Sequence, residues 1–160
     1  VFAVLGNHDE AREHDADNKK ITEALEKVGV RVLDNEIQDF ENFQIAGIGS
    51  HIFEKDEVSI LQNLPEKKLS FVLAHNPDST FQFPKGRKLF TVSGHTHCGQ
   101  IRIPPFYRWV IPTDGDFPES GLFQKDFGQL FITCGVGEVL FPMRFLNPPM
   151  IDILEFSNRD

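Results

Sequence analysis

The sequence predicts an α/β fold, a layered sheet with helices outside it, and three observations carry that reading. Short continuous apolar runs, among them Val1–Leu5 and Leu69–Ala74, have the length and content of buried strands. The stretch between those two contains a segment of helical period. The runs stop on glycine or on polar residues, so strands and helices alternate with loops at the strand ends.

Taken in order, Val1–Leu5 ends at Gly6 and reads as a central strand stopped by a turn, followed by a polar loop to about Asp15. From Asp17, the residues Ile21, Ala24, Leu25 and Val28 fall at i, i+3, i+4 and i+7, with charged residues between them and Gly29 beyond. This predicts an amphipathic helix with an acidic start and a glycine stop. Val30–Leu33 alternates at period 2, Asp34-Asn35 turns, and Phe43–Ile48 reads as another strand. A short helix is expected near Asp56 to Asn63. Leu69–Ala74 and Lys88–Ser93 are buried strands that deliver His75 and Gly94 at their carboxyl ends. A proline-, glycine- and phenylalanine-rich loop then spans about Pro104 to Gly121, and two strands close the chain, Gln129–Cys134 and Met150–Phe156.

With 24 acidic and 16 basic residues in 160, the formal charge is −8, and no basic run could track a phosphate backbone. Nucleic acid is therefore an unfavoured partner. Hydrophobic residues make up 40% of the chain, enough for a core and against disorder. No apolar stretch reaches the roughly 20 residues of a membrane-spanning helix. The chain opens in an apolar run without a methionine, so residues are expected upstream. Cys98 and Cys134 are too few for a disulfide scaffold; Cys98, beside His97, reads as a small loop residue or a soft extra metal ligand, and Cys134 as a core residue.

Four of the six histidines lie at strand ends or in adjoining loops: His8, His75, His95 and His97. Alone, each reads as a hydrogen-bonded loop residue. In open α/β sheets, however, ligand sites form outside the carboxyl ends of strands, so these ends would converge. An extended His95-Thr96-His97 points its two imidazoles to opposite sides, which suits two neighbouring cations. Asn7 adds a neutral oxygen donor, and Asp9 stands beside His8, which it could orient.

Gly6-Asn7-His8-Asp9, Ala74-His75 and Gly94-His95-Thr96-His97 with Gly99-Gln100 resemble, in order and spacing, the C-terminal motifs of the calcineurin-like metallophosphoesterase superfamily. Gly135-Val136-Gly137, Pro142-Met143-Arg144-Phe145 and Asn147-Pro148-Pro149 resemble its YkuE/YaeI-type phosphodiesterase branch. The resemblance implies a layered metallophosphoesterase-type β-sandwich flanked by helices and incomplete at the N-terminus, with residues 1–160 the C-terminal portion of one domain. It implies hydrolysis of a phosphomonoester or phosphodiester by hydroxide activated by two divalent metal ions, Mn, Zn or Fe. Asn7, His75 and His95 would ligate one ion and His97 the other. His8 would face the scissile phosphate, with Asp9 orienting it, and Arg144 would contact substrate, a small phosphate ester or a phospholipid-type molecule. The family's Asp-x-His and Gly-Asp-x-x-Asp motifs do not occur before Gly6; Gly115-Asp116-Phe117-Pro118-Glu119 imitates the second out of order.

Other residues carry weaker expectations. His51 is placed to approach the cleft, and His14 reads as solvated. Phe106, Tyr107 and Trp109 could form an apolar lip or anchor their own loop, and Arg102 is a second phosphate candidate. Two rival readings stay open: a non-catalytic scaffold or binding module of the same fold, and a mononuclear protein using Asn7, His75 and His95. Cytoplasmic and membrane-associated locations, the latter through a preceding segment, both fit.

Overall fold

The computed structural model describes residues 1–9, 15–104, 111–115, 117 and 119–157, with the backbone alone for 15–17. His14, Phe106, Tyr107, Trp109, Asp116 and Pro118 lie outside the described residues. The elements are β1 (Phe2–Ala3), α1 (Asp15–Lys27), β2 (Arg31–Val32), β3 (Glu36–Asp39), β4 (Phe43–Ile48), β5 (Leu69–Ala74), β6 (Leu89–Ser93), β7 (Gly121–Lys125) and β8 (Gly128–Ile132). Strands alternate with helical segments, so the fold is the mixed α/β class that the sequence predicts.

A six-stranded sheet runs β3-β4-β5-β6-β8-β7. Its four inner strands are parallel, with Ile48 opposite Ala74, Leu73 opposite Val92, and Ser93 opposite Ile132. Antiparallel hairpin strands form both edges. Parallel inner strands put their carboxyl ends on one side of the sheet, which is why residues following β4, β5, β6 and β8 can meet.

One face carries the main core. Ala46, Ile48, Val72, Ala74, Leu130 and Ile132 pack with Leu61, Leu64, Phe83, Phe117 and Phe127, all buried. The covering segments are short 3₁₀ helices, Val58–Asn63 and Pro77–Gln82. Such turns bury side chains with few residues, which fits connections this brief. On the opposite face Phe43, Phe71 and Phe90 continue into Phe40 and Phe156, with ring centroids 4.5 to 6.2 Å apart and mostly edge-to-face.

Several elements differ from the sequence reading. The first apolar run is no central strand: only Phe2–Ala3 is extended, pairing with β2 in a separate two-stranded parallel sheet. Along α1, Ile21 and Leu25 are half-buried whereas Ala24 and Val28 are exposed, so the apolar stripe is narrower than its spacing suggests. The glycine stop is present: Gly29 at φ 82° lets its N–H reach the Glu26 carbonyl while the Val30 N–H reaches that of Leu25. The helix expected near Asp56–Asn63 is the 3₁₀ segment beginning at Val58.

β3 and β7 were not expected. Each is a short edge strand formed by pairing with a better neighbour, and edge strands carry weak apolar signals. Conversely, Met150–Phe156 alternates as a strand in sequence but forms none. Ile151 and Ile153 are more than 80% exposed, while Phe156 packs on Phe71 and Phe90. Its backbone contacts a neighbour through the Met150 N–H on the Gly135 carbonyl, and a single bond does not make a ladder. No described helix is long and apolar enough to cross a membrane.

Candidate metal centre

The carboxyl ends of the parallel strands open into a cleft of about 590 Å³ lined by Asn7, His8, Asp9, His75, His95 and His97 together with apolar residues. His75 follows β5 directly, and His95 follows β6 after Gly94, whose N–H donates to the His75 carbonyl at 3.1 Å. These two strand ends are thereby locked together.

Three donor atoms converge. His75 Nε2 lies 2.9 Å from Asn7 Oδ1 and 3.1 Å from His95 Nδ1. Hydrogen bonds alone cannot satisfy this arrangement when both rings are neutral. If His75 Nε2 carries the proton it can serve one neighbour; if His95 Nδ1 carries it, the lone pairs of Asn7 Oδ1 and His75 Nε2 face each other. One contact is mismatched in every neutral tautomer, whereas a cation would accept all three lone pairs. The spacing also fits: donors about 2.1 Å from a common ion stand about 3.0 Å apart at adjacent octahedral corners.

The electrostatics keep these donors available. Burial, followed by the neighbouring His95, holds the His75 pKa down at about 4. Burial also lowers that of His95, opposed by the Pro112 carbonyl and the Asp78 carboxylate. Neutral imidazoles are the ligating form. All three donors are uncharged, and no group of three His, Cys, Asp or Glu side chains among the described residues forms a metal cage. The set therefore fits a divalent cation as a partial coordination shell lacking a carboxylate.

His97 reaches the cleft from a tight turn. His95, His97, Cys98, Gly99 and Gln100 all have positive φ, four of them non-glycine, so the two histidines are presented by strained left-handed backbone and not by the extended segment expected. Buried hydrogen bonds hold the turn. Thr96 Oγ1 donates to the Glu119 carbonyl and accepts from the Cys98 N–H, while Asn147 Nδ2 donates to the carbonyls of His97 and Cys98. His97 Nδ1 lies 3.1 Å from the Gly137 carbonyl, so it carries the proton and Nε2 is left as the basic nitrogen, as second-shell bonds to metal-ligating histidines arrange.

His8 is exposed at the cleft. Asp9 Oδ2 accepts from the Gly6 N–H at 2.9 Å, and the Asp9 N–H donates to the Gly6 carbonyl at 3.0 Å, so Asp9 closes the turn that carries His8. Arg144 does not line the cleft. Its guanidinium donates to the Cys134 and Gly137 carbonyls, each at 2.8 Å, and braces the loop that in turn accepts from His97. Arg102 Nε donates to the Cys98 carbonyl. His51 pairs its Nδ1 with Asp56 Oδ2 at 2.7 Å, and its neighbour Ile52 is the residue that reaches the cleft wall.

Some contributors escaped the sequence reading. Cys98 and Cys134 are joined in a disulfide that ties the histidine turn to the end of β8, correcting their assignment to separate structural roles. The signal was available in that they are the chain's two cysteines, each next to a site element. Asp78 is buried and accepts the N–H groups of Asp114 and Gly115 at 3.0 Å, which fixes a loop beside His95. Gln100 is buried and bonds to Val139 and Phe141.

The chain is 31% identical to an uncharacterized metallophosphoesterase of Aquifex aeolicus over 99% of its own length and 61% of that protein's. It is 31% identical to phosphodiesterase YaeI of Escherichia coli, covering 97% of this chain and 57% of that one, and 26% identical to the uncharacterized metallophosphoesterase YkuE of Bacillus subtilis, covering 98% and 56%. It thus spans little more than half the length of these relatives. No family model and no solved structure matches the chain. Over nearly its whole length the chain is thus similar to proteins named metallophosphoesterase or phosphodiesterase, and its mixed α/β fold agrees with the metallophosphoesterase resemblance.

Proposed function

We propose that this chain supplies the C-terminal part of a phosphoester hydrolase centre that works with two divalent cations, drawn from Mn, Zn and Fe, on a phosphomonoester or phosphodiester. The observation that carries the reading is the convergence of Asn7 Oδ1, His75 Nε2 and His95 Nδ1 at 2.9 and 3.1 Å in a strand-end cleft. Those three would hold one ion and His97 Nε2 would contribute to the other, the remaining donors coming from outside residues 1–160. Bound cations neutralise phosphate oxygens and lower the pKa of water at the site. His8, exposed at the cleft on the turn closed by Asp9, stands where it can meet a phosphate oxygen and give a proton to the leaving oxygen. Arg144 acts by bracing the Gly137 carbonyl and through it His97, in place of the phosphate contact that its motif implies. The relatives named metallophosphoesterase and phosphodiesterase support the reaction class.

The test joins this chain to an upstream segment bearing Asp-x-His and Gly-Asp-x-x-Asp, with metal content and hydrolysis of bis(4-nitrophenyl) phosphate measured together. Metal-dependent turnover abolished by His95→Ala is expected. Turnover that persists after chelation, or its absence in the metal-loaded protein, overturns the reading.

A further inference from the structure

His95 commits one ring nitrogen to the donor triangle and buries the other. Nδ1 stands 3.1 Å from His75 Nε2, whereas Nε2 is buried and meets no partner in hydrogen-bond geometry. A neutral imidazole carries one proton, so a lone pair on Nδ1 for a cation requires the proton on Nε2. That buried N–H then needs an acceptor. Where the acceptor stands decides which nitrogen is left to ligate and how the ring is turned.

Residues 112–115 supply that acceptor. Pro112 lines the same cleft as His95, and its carbonyl stands close enough to the ring to raise its pKa, though short of hydrogen-bond geometry at Nε2. A cation on Nδ1 makes the Nε2–H a stronger donor to it. Pro112 has no N–H by which it could itself be held. The segment is fixed two residues further on, where Asp78, only 2% exposed, accepts the N–H groups of Asp114 and Gly115 on Oδ1, each at 3.0 Å. Thr113 ties the segment from within, its N–H donating to the Ile111 carbonyl and its Oγ1 to that of Gly115, both at 3.0 Å. Gly115 is packed so closely that a Cβ there would lie 2.3 Å from Phe81 Cζ and 2.8 Å from Phe117 Cε2.

Asp78 lies in the 3₁₀ segment Pro77–Gln82, which follows β5 and His75 after one residue. One stretch of chain therefore carries the His75 donor and, three residues on, the carboxylate that holds the loop beside His95. We propose that Asp78 is a positioning residue for the metal centre: by holding the Asp114 and Gly115 N–H groups it sets the Pro112 carbonyl as acceptor of the His95 Nε2 proton, which leaves the Nδ1 lone pair for the cation. This rests on the reading of Asn7, His75 and His95 as donors to one ion. Asp78 does not line the cleft and acts through backbone. Its part is to accept two N–H groups, which a neutral amide oxygen performs as well.

The experiment uses the full natural chain with ¹⁵N-labelled histidine at neutral pH. Long-range ¹H–¹⁵N correlation spectra of the metal-free protein read the tautomer of each neutral ring, and competition with a chromophoric chelator measures Zn²⁺ affinity. His95, assigned by the signals that His95→Gln removes, is expected as the Nε2–H tautomer. Asp78→Ala should mix the two tautomers and weaken Zn²⁺ binding at least about tenfold, the range for groups that orient metal ligands. Asp78→Asn keeps an oxygen on both N–H groups, so it should retain the tautomer and stay within about threefold of the unmodified affinity although the charge is gone. An Nδ1–H tautomer of His95 in the unmodified protein overturns the inference, even where Asp78→Ala fails to fold. So does an unmoved tautomer or an unchanged Zn²⁺ affinity in folded Asp78→Ala, the outcome of a merely structural role. A loss in Asp78→Asn equal to that in Asp78→Ala overturns it too, by assigning the effect to charge. Absence of Zn²⁺ uptake by the unmodified protein refutes the metal-centre reading and this inference with it, whereas uptake insensitive to Asp78→Ala refutes this inference alone.

Discussion

A Cβ on Gly6 would lie 2.7 Å from Cε1 of the His75 ring, closer than folded proteins allow. The glycine that ends the first apolar run is therefore also the floor on which the central imidazole rests. Its neighbours move with it, because Asn7 Oδ1 and His95 Nδ1 are both placed by their contact with His75 Nε2.

Gly6→Ala is accordingly expected to push the ring off the donor triangle while leaving the sheet intact. Affinity for Mn²⁺ should fall at least tenfold, in the range typical for disturbing groups that orient metal ligands. Isothermal calorimetry reads the affinity and circular dichroism the fold. Unchanged affinity with a native spectrum would show that the triangle does not bind the ion.

The Cys98–Cys134 disulfide closes a loop across a sequence separation of 36 residues. Restricting the unfolded chain in this way stabilises the folded state by about 2–4 kcal/mol. The double variant Cys98→Ala, Cys134→Ala should lose that amount in urea unfolding, and reductant should lower the stability of the unmodified protein but not of the variant. Equal stability in all four measurements would remove the crosslink from any role in the fold.

Asp78 provides a pH test. Burial raises its pKa above the ordinary 3.8, against the lowering by the Gly115 and Asp114 N–H groups. The folded state thus holds the proton to higher pH than the unfolded one. The stability that this group contributes is fully present below pH 3.8 and is lost as pH rises through its folded pKa. Asp78→Asn should flatten this segment of the stability profile, whereas Asp78→Ala should lower stability across all pH by about 1–3 kcal/mol, leaving two N–H groups unpaired. Urea midpoints between pH 3 and 7 decide it; a profile unaffected by Asp78→Asn would exclude the carboxyl from the linkage.

The inner strands were legible because β5 and β6 are continuous apolar runs whose pattern depends little on partners, and their terminal His75 and Gly94-His95 were therefore placed at the right edge. The Gly6–Asp9 turn followed from glycine and asparagine at a strand stop. What escaped depends on partners far along the chain. β7 exists through β8, and the edge strand β3 through β4. Met150–Phe156 shows the reverse case, a strand pattern without a neighbouring ladder. The clamps by Gln100, Asp78 and Asn147 act across 36 to 50 residues, and polar residues in loops carry no periodicity to announce them. Arg144 shows a related dependence: a guanidinium in a motif resembles a phosphate binder, and the fold directs its Nε and Nη2 to backbone carbonyls while its Nη1 is buried without a partner.

Asn147 gives the most direct test of how the histidine turn is held. Its side chain is buried and donates to the carbonyls of His97 at 2.7 Å and Cys98 at 3.3 Å, at residues whose φ values of 45° and 50° the backbone does not favour. Removing the donor takes one hydrogen bond from each carbonyl, leaving the His97 carbonyl with the Gln100 N–H and the Cys98 carbonyl with Arg102 Nε, and releases strained residues toward ordinary conformations, a loss of about 1–3 kcal/mol. Asn147→Ala should therefore reduce stability by that amount and speed amide exchange at Cys98–Gln100 well above that of β5 and β6. Asn147→Asp separates geometry from size: it keeps the shape but cannot donate when ionised, and should behave like the alanine variant at neutral pH. Native exchange rates at Cys98–Gln100 in both variants would mean that the disulfide, Thr96, Arg102 and the Gln100 N–H hold the turn without Asn147.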